Sequence, residues 1–118
     1  MDPRRELGTA GEAAVSAWYE AAGYAVVDRN WRVRDGEIDI VARRGTTIVF
    51  CEVKTRRSDA FGAPAEAVTA RKQARLRKLV VQWLAAHDAR ADELRFDVAS
   101  VRPDGRGGFL VDVFEAAF

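Results

Sequence analysis

Gly36-Glu37-Ile38-Asp39, a turn at Arg44-Gly45-Thr46, and Ile48-Val49-Phe50-Cys51-Glu52-Val53-Lys54 make up the stretch whose reading decides the fold. It reads as two strands joined near Gly45. Both carry charged residues in their interiors, where strands ordinarily carry apolar ones. Side chains alternate along a strand, with neighbours on one face roughly 7 Å apart. Glu52 and Lys54 therefore share a face, and Val49, Cys51 and Val53 take the other. On the partner strand the same alternation groups Glu37, Asp39 and Val41 against Ile38, Ile40 and Ala42. A hairpin that sets Asp39 beside Glu52 converges two carboxylates and one ammonium on one spot. Charge inside an apolar strand is costly unless it is paired or binds a metal, so this hairpin is the first place to look for a site.

Outward from it, Asp35-Gly36 is predicted as a two-residue hairpin turn, because both residue types tolerate positive φ. It joins the pair to a preceding strand over residues 24–34. Before that strand, Leu7, Ala10, Gly11, Ala14, Trp18, Ala21 and Ala22 recur at helical spacing and predict an amphipathic helix over residues 6–22, stopped by Gly23. After Lys54 comes a polar, glycine-containing loop, residues 56–63. Pro64 suits a helix start, and Val68, Leu76, Leu79, Val80, Trp83 and Leu84 give that helix an apolar stripe as far as His87. Lys72 falls in line with Val68 and Leu76, on the side facing the sheet. Arg71, Arg75 and Lys78 form a separate cationic stripe. Leu94, Phe96 and Val98 predict a fourth strand, and residues 109–114 a fifth. The order is helix, three strands, helix, two strands. The first hairpins predict antiparallel pairing, and the second helix is long enough for a parallel crossover.

With 118 residues, 48% of them apolar, the chain is read as one folded domain, residues 1–118. No apolar run is long enough to span a membrane, and Met1-Asp2-Pro3-Arg4-Arg5 lacks the apolar core of a signal peptide. A single cysteine, Cys51, leaves no internal disulfide and no cysteine-based zinc cluster. A cytoplasmic protein with no membrane partner is expected. Net charge is only +1, but residues 29–78 hold 13 Lys/Arg against 6 Asp/Glu. A positive zone around a carboxylate site suits a polyanionic substrate; an Arg-rich solvated surface is the plainer reading.

Asp39 and Glu52 are hard oxygen ligands suited to Mg²⁺ or Mn²⁺. Such an ion polarises a phosphoryl oxygen and supplies hydroxide near neutral pH. Lys54 is placed to stabilise phosphate charge or help activate the water. Only 3 of the 19 cations are lysines, and a compact ammonium differs from a guanidinium in this role. The competing reading is a structural ion pair of Lys54 with Glu52 or Asp39. Glu12 has two readings as well: a capping box in Thr9-x-x-Glu12, or a third carboxylate directed at Asp39. His87 is the only histidine, too little for a histidine-based centre. It ends a helix, where it suits the dipole. Cys51 reads as core and Asp97 as structural.

Helical Glu12, then Asp39 in Gly36-Glu37-Ile38-Asp39, then Glu52-Val53-Lys54 resembles the PD-(D/E)XK nucleases. The likeness is greatest to the YraN-like family, which is similar to archaeal Holliday-junction resolvases. It extends over Gly11-Glu12, Gly23-Tyr24, Asn30-Trp31-Arg32, Thr55-Arg56, Phe61-Gly62, Lys72 and Arg95-Phe96-Asp97. The resemblance implies a restriction-endonuclease-like αβββαβ core with a mixed five-stranded sheet flanked by helices. It implies Asp39 and Glu52 as metal ligands, Lys54 as catalytic lysine and Glu12 as a further catalytic carboxylate. Ile38 stands where the wider superfamily has proline. Arg77 ends what would be a Gln73-x-x-x-Tyr motif, which sets the chain apart from the RecB-like branch.

The expected function is a Mg²⁺- or Mn²⁺-dependent DNA endonuclease, acting on branched or structured DNA. Arg32, Arg56, Arg57, Arg71, Lys72 and Arg75 are the expected nucleic-acid contacts, and a homodimer is expected by likeness to junction resolvases. The alternatives are a non-catalytic nucleic-acid-binding accessory protein on the same fold and a protein-interaction domain.

Overall fold

The computed structural model describes residues 3–57 and 69–118. Helix α1 spans Pro3–Ala21, followed by strands β1 (Ala25–Val33), β2 (Gly36–Arg44) and β3 (Thr47–Thr55). Helix α2 (Ala70–Ala86) and strands β4 (Glu93–Pro103) and β5 (Phe109–Phe114) complete it. Residues 58–63 of the polar loop, with Phe61-Gly62, and Pro64 and Val68 of the anticipated helix lie outside the described residues. No helix among the described residues is long and apolar enough to cross a membrane.

The strands form one sheet in the order β1-β2-β3-β4-β5. Pairing is antiparallel except between β3 and β4, which run parallel because α2 crosses over between them. This α/β arrangement, a mixed five-stranded sheet with a helix on each face, is compatible with the restriction-endonuclease-like fold. Each face has its own core. Under α1 lie Val15, Tyr19, Tyr24, Ile40, Ala42, Val49, Cys51, Ala99 and Val101. Under α2 lie Ile38, Val41, Ile48, Phe50, Leu79, Val80, Trp83 and Phe96.

The buried stripe of α1 is Gly11, Val15 and Tyr19, flanked by Ala14 and Trp18, whereas Ala21 and Ala22 are exposed. Spacing of four residues centres the stripe on Val15 and Tyr19, and the last turn runs past the sheet. Gly23, at φ +91, ends the helix as expected. Tyr24 N–H donates to the Tyr19 carbonyl and Gly23 N–H to the Glu20 carbonyl. That is a Schellman closure, with the Tyr19 and Tyr24 rings in edge contact across it. The helix begins at Pro3, so Thr9 and Glu12 lie in its interior and the capping-box reading of Glu12 does not apply.

The β1–β2 turn also differs from the expected one. Val33 pairs with Gly36, so Arg34 and Asp35 form the turn and Gly36 opens β2. A side chain at Gly36 would meet Leu79 Cδ1 at 3.2 Å, and its φ is +149. The glycine lets α2 approach the sheet; it is not the turn residue.

The largest departure from simple alternation is in β2. Ile40 and Ala42 face α1, and Val41 faces α2, as period two requires. Ile38 should then face α1, yet it lies in the core under α2. Its partner Trp31 does the same, although Arg29, two residues earlier, pairs with Ile40. Both strands therefore reverse face between these pairs, at Asn30 and Asp39. Asn30 has φ +51, a left-handed conformation that asparagine tolerates better than most residues. The expected grouping of Glu37, Asp39 and Val41 against Ile38, Ile40 and Ala42 fails at this reversal.

Candidate active site

The β2–β3 ladder stops where the charged residues begin. Ile40 pairs with Cys51 and is the last pair on that side, so Asp39 and Glu52 occupy the next register position, where the strands part. Asp39 takes over the lost ladder contact with its side chain: Val53 N–H donates to Asp39 Oδ2 at 2.8 Å. That bond fixes the carboxylate in the gap. Asp39 consequently lines two openings. One is a cavity of about 180 Å³ under α2, walled by Ile38, Phe50, Leu76, Val80 and Phe96 and also reached by Glu52. The other is a groove on the α1 side with Glu12, Val53, Thr55 and Arg57.

Glu12 reaches Asp39 because α1 sits very close to β3. A Cβ on Gly11 would fall 2.4 Å from Thr55 Oγ1, so only glycine allows this approach. Carboxylate oxygens of Glu12, Glu37 and Asp39 all lie within 4.8 Å of one another. Burial raises the Asp39 carboxyl to about 7; the Val53 N–H bond opposes the rise, and the charges of Glu12, Glu52 and Glu37 add to it.

On the other face, period two holds throughout β3. Val49, Cys51 and Val53 pack under α1, and Glu52 and Lys54 share the α2 face, as the sequence predicts. Lys54 Nζ lies 3.1 Å and Lys72 Nζ 2.6 Å from the same oxygen, Glu52 Oε1. Glu52 is only 11% exposed, and its Oε2 is buried with no hydrogen-bond partner. Burial holds the Lys54 ammonium below its ordinary range, and neighbouring Lys72 pushes the same way against the pull of Glu52. Burial also works against charge on Lys72, but Glu52 outweighs it and leaves Lys72 raised.

The family model described as "Uncharacterised protein family UPF0102" matches residues 11–101, a span that holds Glu12, Glu37, Asp39, Glu52, Lys54 and Lys72. The chain belongs to the UPF0102 family. A UPF0102 protein of Beutenbergia cavernae is 56% identical over 112 residues, 95% of each chain. One from Frankia alni is 46% identical over 118 residues, covering 100% of this chain and 98% of its own. One from Symbiobacterium thermophilum is 44% identical over 114 residues, 97% of each. The YraN-like resemblance of the sequence is thereby a family membership.

The donor set of this UPF0102 chain fits a hard divalent cation. Every candidate ligand is a carboxylate oxygen, three are already gathered, and Glu52 Oε2 is a buried acceptor without a donor. Burial, and after it the charges of Glu12, Glu52 and Glu37, disfavours the ionised Asp39 carboxylate, and a bound cation would offset both.

Glu37 is the site residue that sequence reasoning left without a role. Its signal was present, two residues from Asp39 on the same strand, but the face reversal at Asp39 cannot be read from alternation. Among the expected nucleic-acid contacts, Arg57 stands at the groove with Glu12 and Asp39. Arg32 binds Glu37 Oε2 at 2.6 Å, at the mouth of the carboxylate cluster. Arg71 and Arg75 flank Lys72 near the start of α2. Arg56 donates its backbone N–H to the Val101 carbonyl.

Proposed function

We propose that this chain is a metal-dependent nuclease that hydrolyses phosphodiester bonds in DNA, with branched or structured DNA as the favoured substrate. The gathering of Glu12, Glu37 and Asp39 within 4.8 Å, at the point where β2 leaves β3, carries the proposal. Asp39 and Glu52 would hold Mg²⁺ or Mn²⁺, with Glu12 and Glu37 on the α1 side of the same gap. When bound, the ion supplies Lewis-acid polarisation of a phosphoryl oxygen. Asp39 is oriented for this by Val53 N–H, and the β3 backbone holds Lys54 on the face of Glu52, where its ammonium can donate to a phosphate oxygen. Arg57 and the Arg71, Lys72 and Arg75 group give the backbone of a nucleic acid cationic partners on either side.

Purified protein with Mg²⁺ or Mn²⁺ is expected to cut at least one of linear, nicked, flapped and four-way DNA. Asp39→Ala and Glu52→Ala are each expected to lower the rate by about a hundredfold or more, the scale of losing one preorganised charge-stabilising group. No cutting across that panel defeats the proposal. A second reading, a non-catalytic DNA-binding accessory protein, is favoured by one observation: Glu52 is tied to two lysines, as in a structural ion-pair set. It predicts salt-sensitive DNA binding, unchanged in both variants and without turnover.

A further inference from the structure

We propose that Lys72 is a gate that couples metal occupancy at Glu52 to the arrival of nucleic acid: it blocks the carboxylate until a phosphate draws it away. The inference rests on the nuclease reading above and adds a coupling to it. One oxygen of Glu52 is shared by two ammonium groups, at 2.6 Å from Lys72 and 3.1 Å from Lys54. The other oxygen is buried and unpartnered. A cation approaching Glu52 meets two positive charges already in place, and the compact carboxylate cluster of Glu12, Glu37 and Asp39 does not include Glu52.

The two lysines are held differently. Lys54 lies on β3, two residues from Glu52 and on the same face, so its backbone position keeps it beside Glu52. Lys72 reaches across from α2 on a long flexible stem. Its backbone N–H is bonded to the Thr69 cap, so it belongs to the first turn of the helix. That turn contains no acidic residue, and Arg71 and Arg75 flank Lys72. Cations crowded at a helix N-terminus oppose the dipole, and an anion there relieves them. A phosphate at this patch competes with Glu52 for Lys72 and, in taking it, leaves Glu52 free for the metal. Metal and nucleic acid then bind with positive coupling, and thermodynamics requires each to tighten the other by the same factor.

The test measures Mn²⁺ affinity by electron paramagnetic resonance for wild type, Lys72→Met and Lys72→Arg. Each is measured alone and with a saturating short DNA duplex whose phosphorothioate linkages resist cleavage. In wild type the duplex is expected to tighten Mn²⁺ by about tenfold, a typical coupling. Lys72→Met should bind Mn²⁺ without DNA as tightly as wild type does with it, and DNA should add less than about twofold. Lys72→Arg, which keeps the charge, should retain the coupling. A well-folded Lys72→Arg that loses it, a Lys72→Met that keeps it, or a wild type indifferent to DNA overturns the gate and leaves the metal site standing. Failure of all three proteins to bind Mn²⁺ removes the nuclease reading together with the gate.

Discussion

Asp97 on β4 and Asp39 on β2 are both strand carboxylates taken out of water, and the protein provides for them in opposite ways. Asp97 is 1% exposed and fully surrounded by donors. Tyr19 Oη–H donates to it at 2.6 Å, Arg95 binds both its oxygens at 2.9 and 3.0 Å, and Ala116 N–H donates at 3.0 Å. Asp39 has one backbone donor and three carboxylates around it. Buried polar groups that serve only the fold are normally satisfied. A carboxylate left short of donors among like charges marks a candidate functional site, and a cation there is what we propose for Asp39. Asp97 ties α1, β4 and the chain after β5 together; Asp39 sits where the sheet has been opened.

The largest effect that separates the two is on stability. Asp97→Ala leaves the buried Tyr19 hydroxyl without its partner and the partly buried Arg95 with only its longer contact to Glu115. Removing one member of such a buried pair is expected to cost about 3–5 kcal/mol. The melting temperature, followed by circular dichroism, should fall by more than about 10 °C. A loss under about 1 kcal/mol would show that the donors are reached by water and would erase the contrast.

Asp39 should behave in the reverse sense. Its folded carboxyl titrates near 7, against an ordinary value of 3.8. The folded state therefore binds the proton more tightly, and stability contributed by the protonated form is lost as pH rises from about 4 through about 7. Asp39→Asn keeps an acceptor for Val53 N–H and removes the charge. In metal-free buffer the variant should match wild type near pH 4 and exceed it by about 4 kcal/mol above pH 8, since each unit is worth about 1.4 kcal/mol. Saturating Mn²⁺ should reverse the order, because only wild type gains binding energy. Denaturant titrations at both pH values, with and without Mn²⁺, check it. A variant less stable than wild type in metal-free buffer at pH 8 would mean that Asp39 is structural.

Much of this contrast is legible in the amino-acid sequence. Period two runs unbroken through β3, so the shared face of Glu52 and Lys54 followed from spacing alone. The length of the helix between two strands leaves room for the parallel crossover that α2 makes. Lys72 was read as facing the sheet because it aligns with Leu76, and it does reach Glu52. Alternation failed where the backbone stops alternating. Asn30 was the only hint of that reversal, since a single left-handed residue in a strand leaves no periodic trace. Glu37 was lost for the same reason, and Gly36 reads as a turn residue because a positive-φ glycine that opens a strand beneath Leu79 looks the same in sequence as one inside a turn. The Tyr19–Asp97 bond joins residues 78 apart in sequence, and no local pattern announces it.

The smallest predicted effect sharpens how the open site is held together. Gly8 and Gly11 are both in α1, and glycine within a helix costs up to about 1 kcal/mol relative to alanine. A Cβ at Gly8 meets nothing within 4 Å, so Gly8→Ala should stabilise by about 0.5–1 kcal/mol. At Gly11 the Cβ would lie 2.4 Å from Thr55 Oγ1, 3.1 Å from Cγ2 and 3.3 Å from Cβ. Thr55 is short and β-branched, so no rotation clears all three atoms. Gly11→Ala must push α1 off β3, and overpacking outweighs the gain in propensity for a net loss of about 1 kcal/mol. The helix carries Glu12 away from Asp39 as it moves, so Mn²⁺ affinity should fall by more than the stability change implies. Thr55→Ala removes the obstructing atoms. The double variant Gly11→Ala/Thr55→Ala should recover both stability and Mn²⁺ binding, by denaturant melts and metal titration on the same samples. Recovery of stability without recovery of binding would show that Glu12 is not held in place by this helix–strand contact.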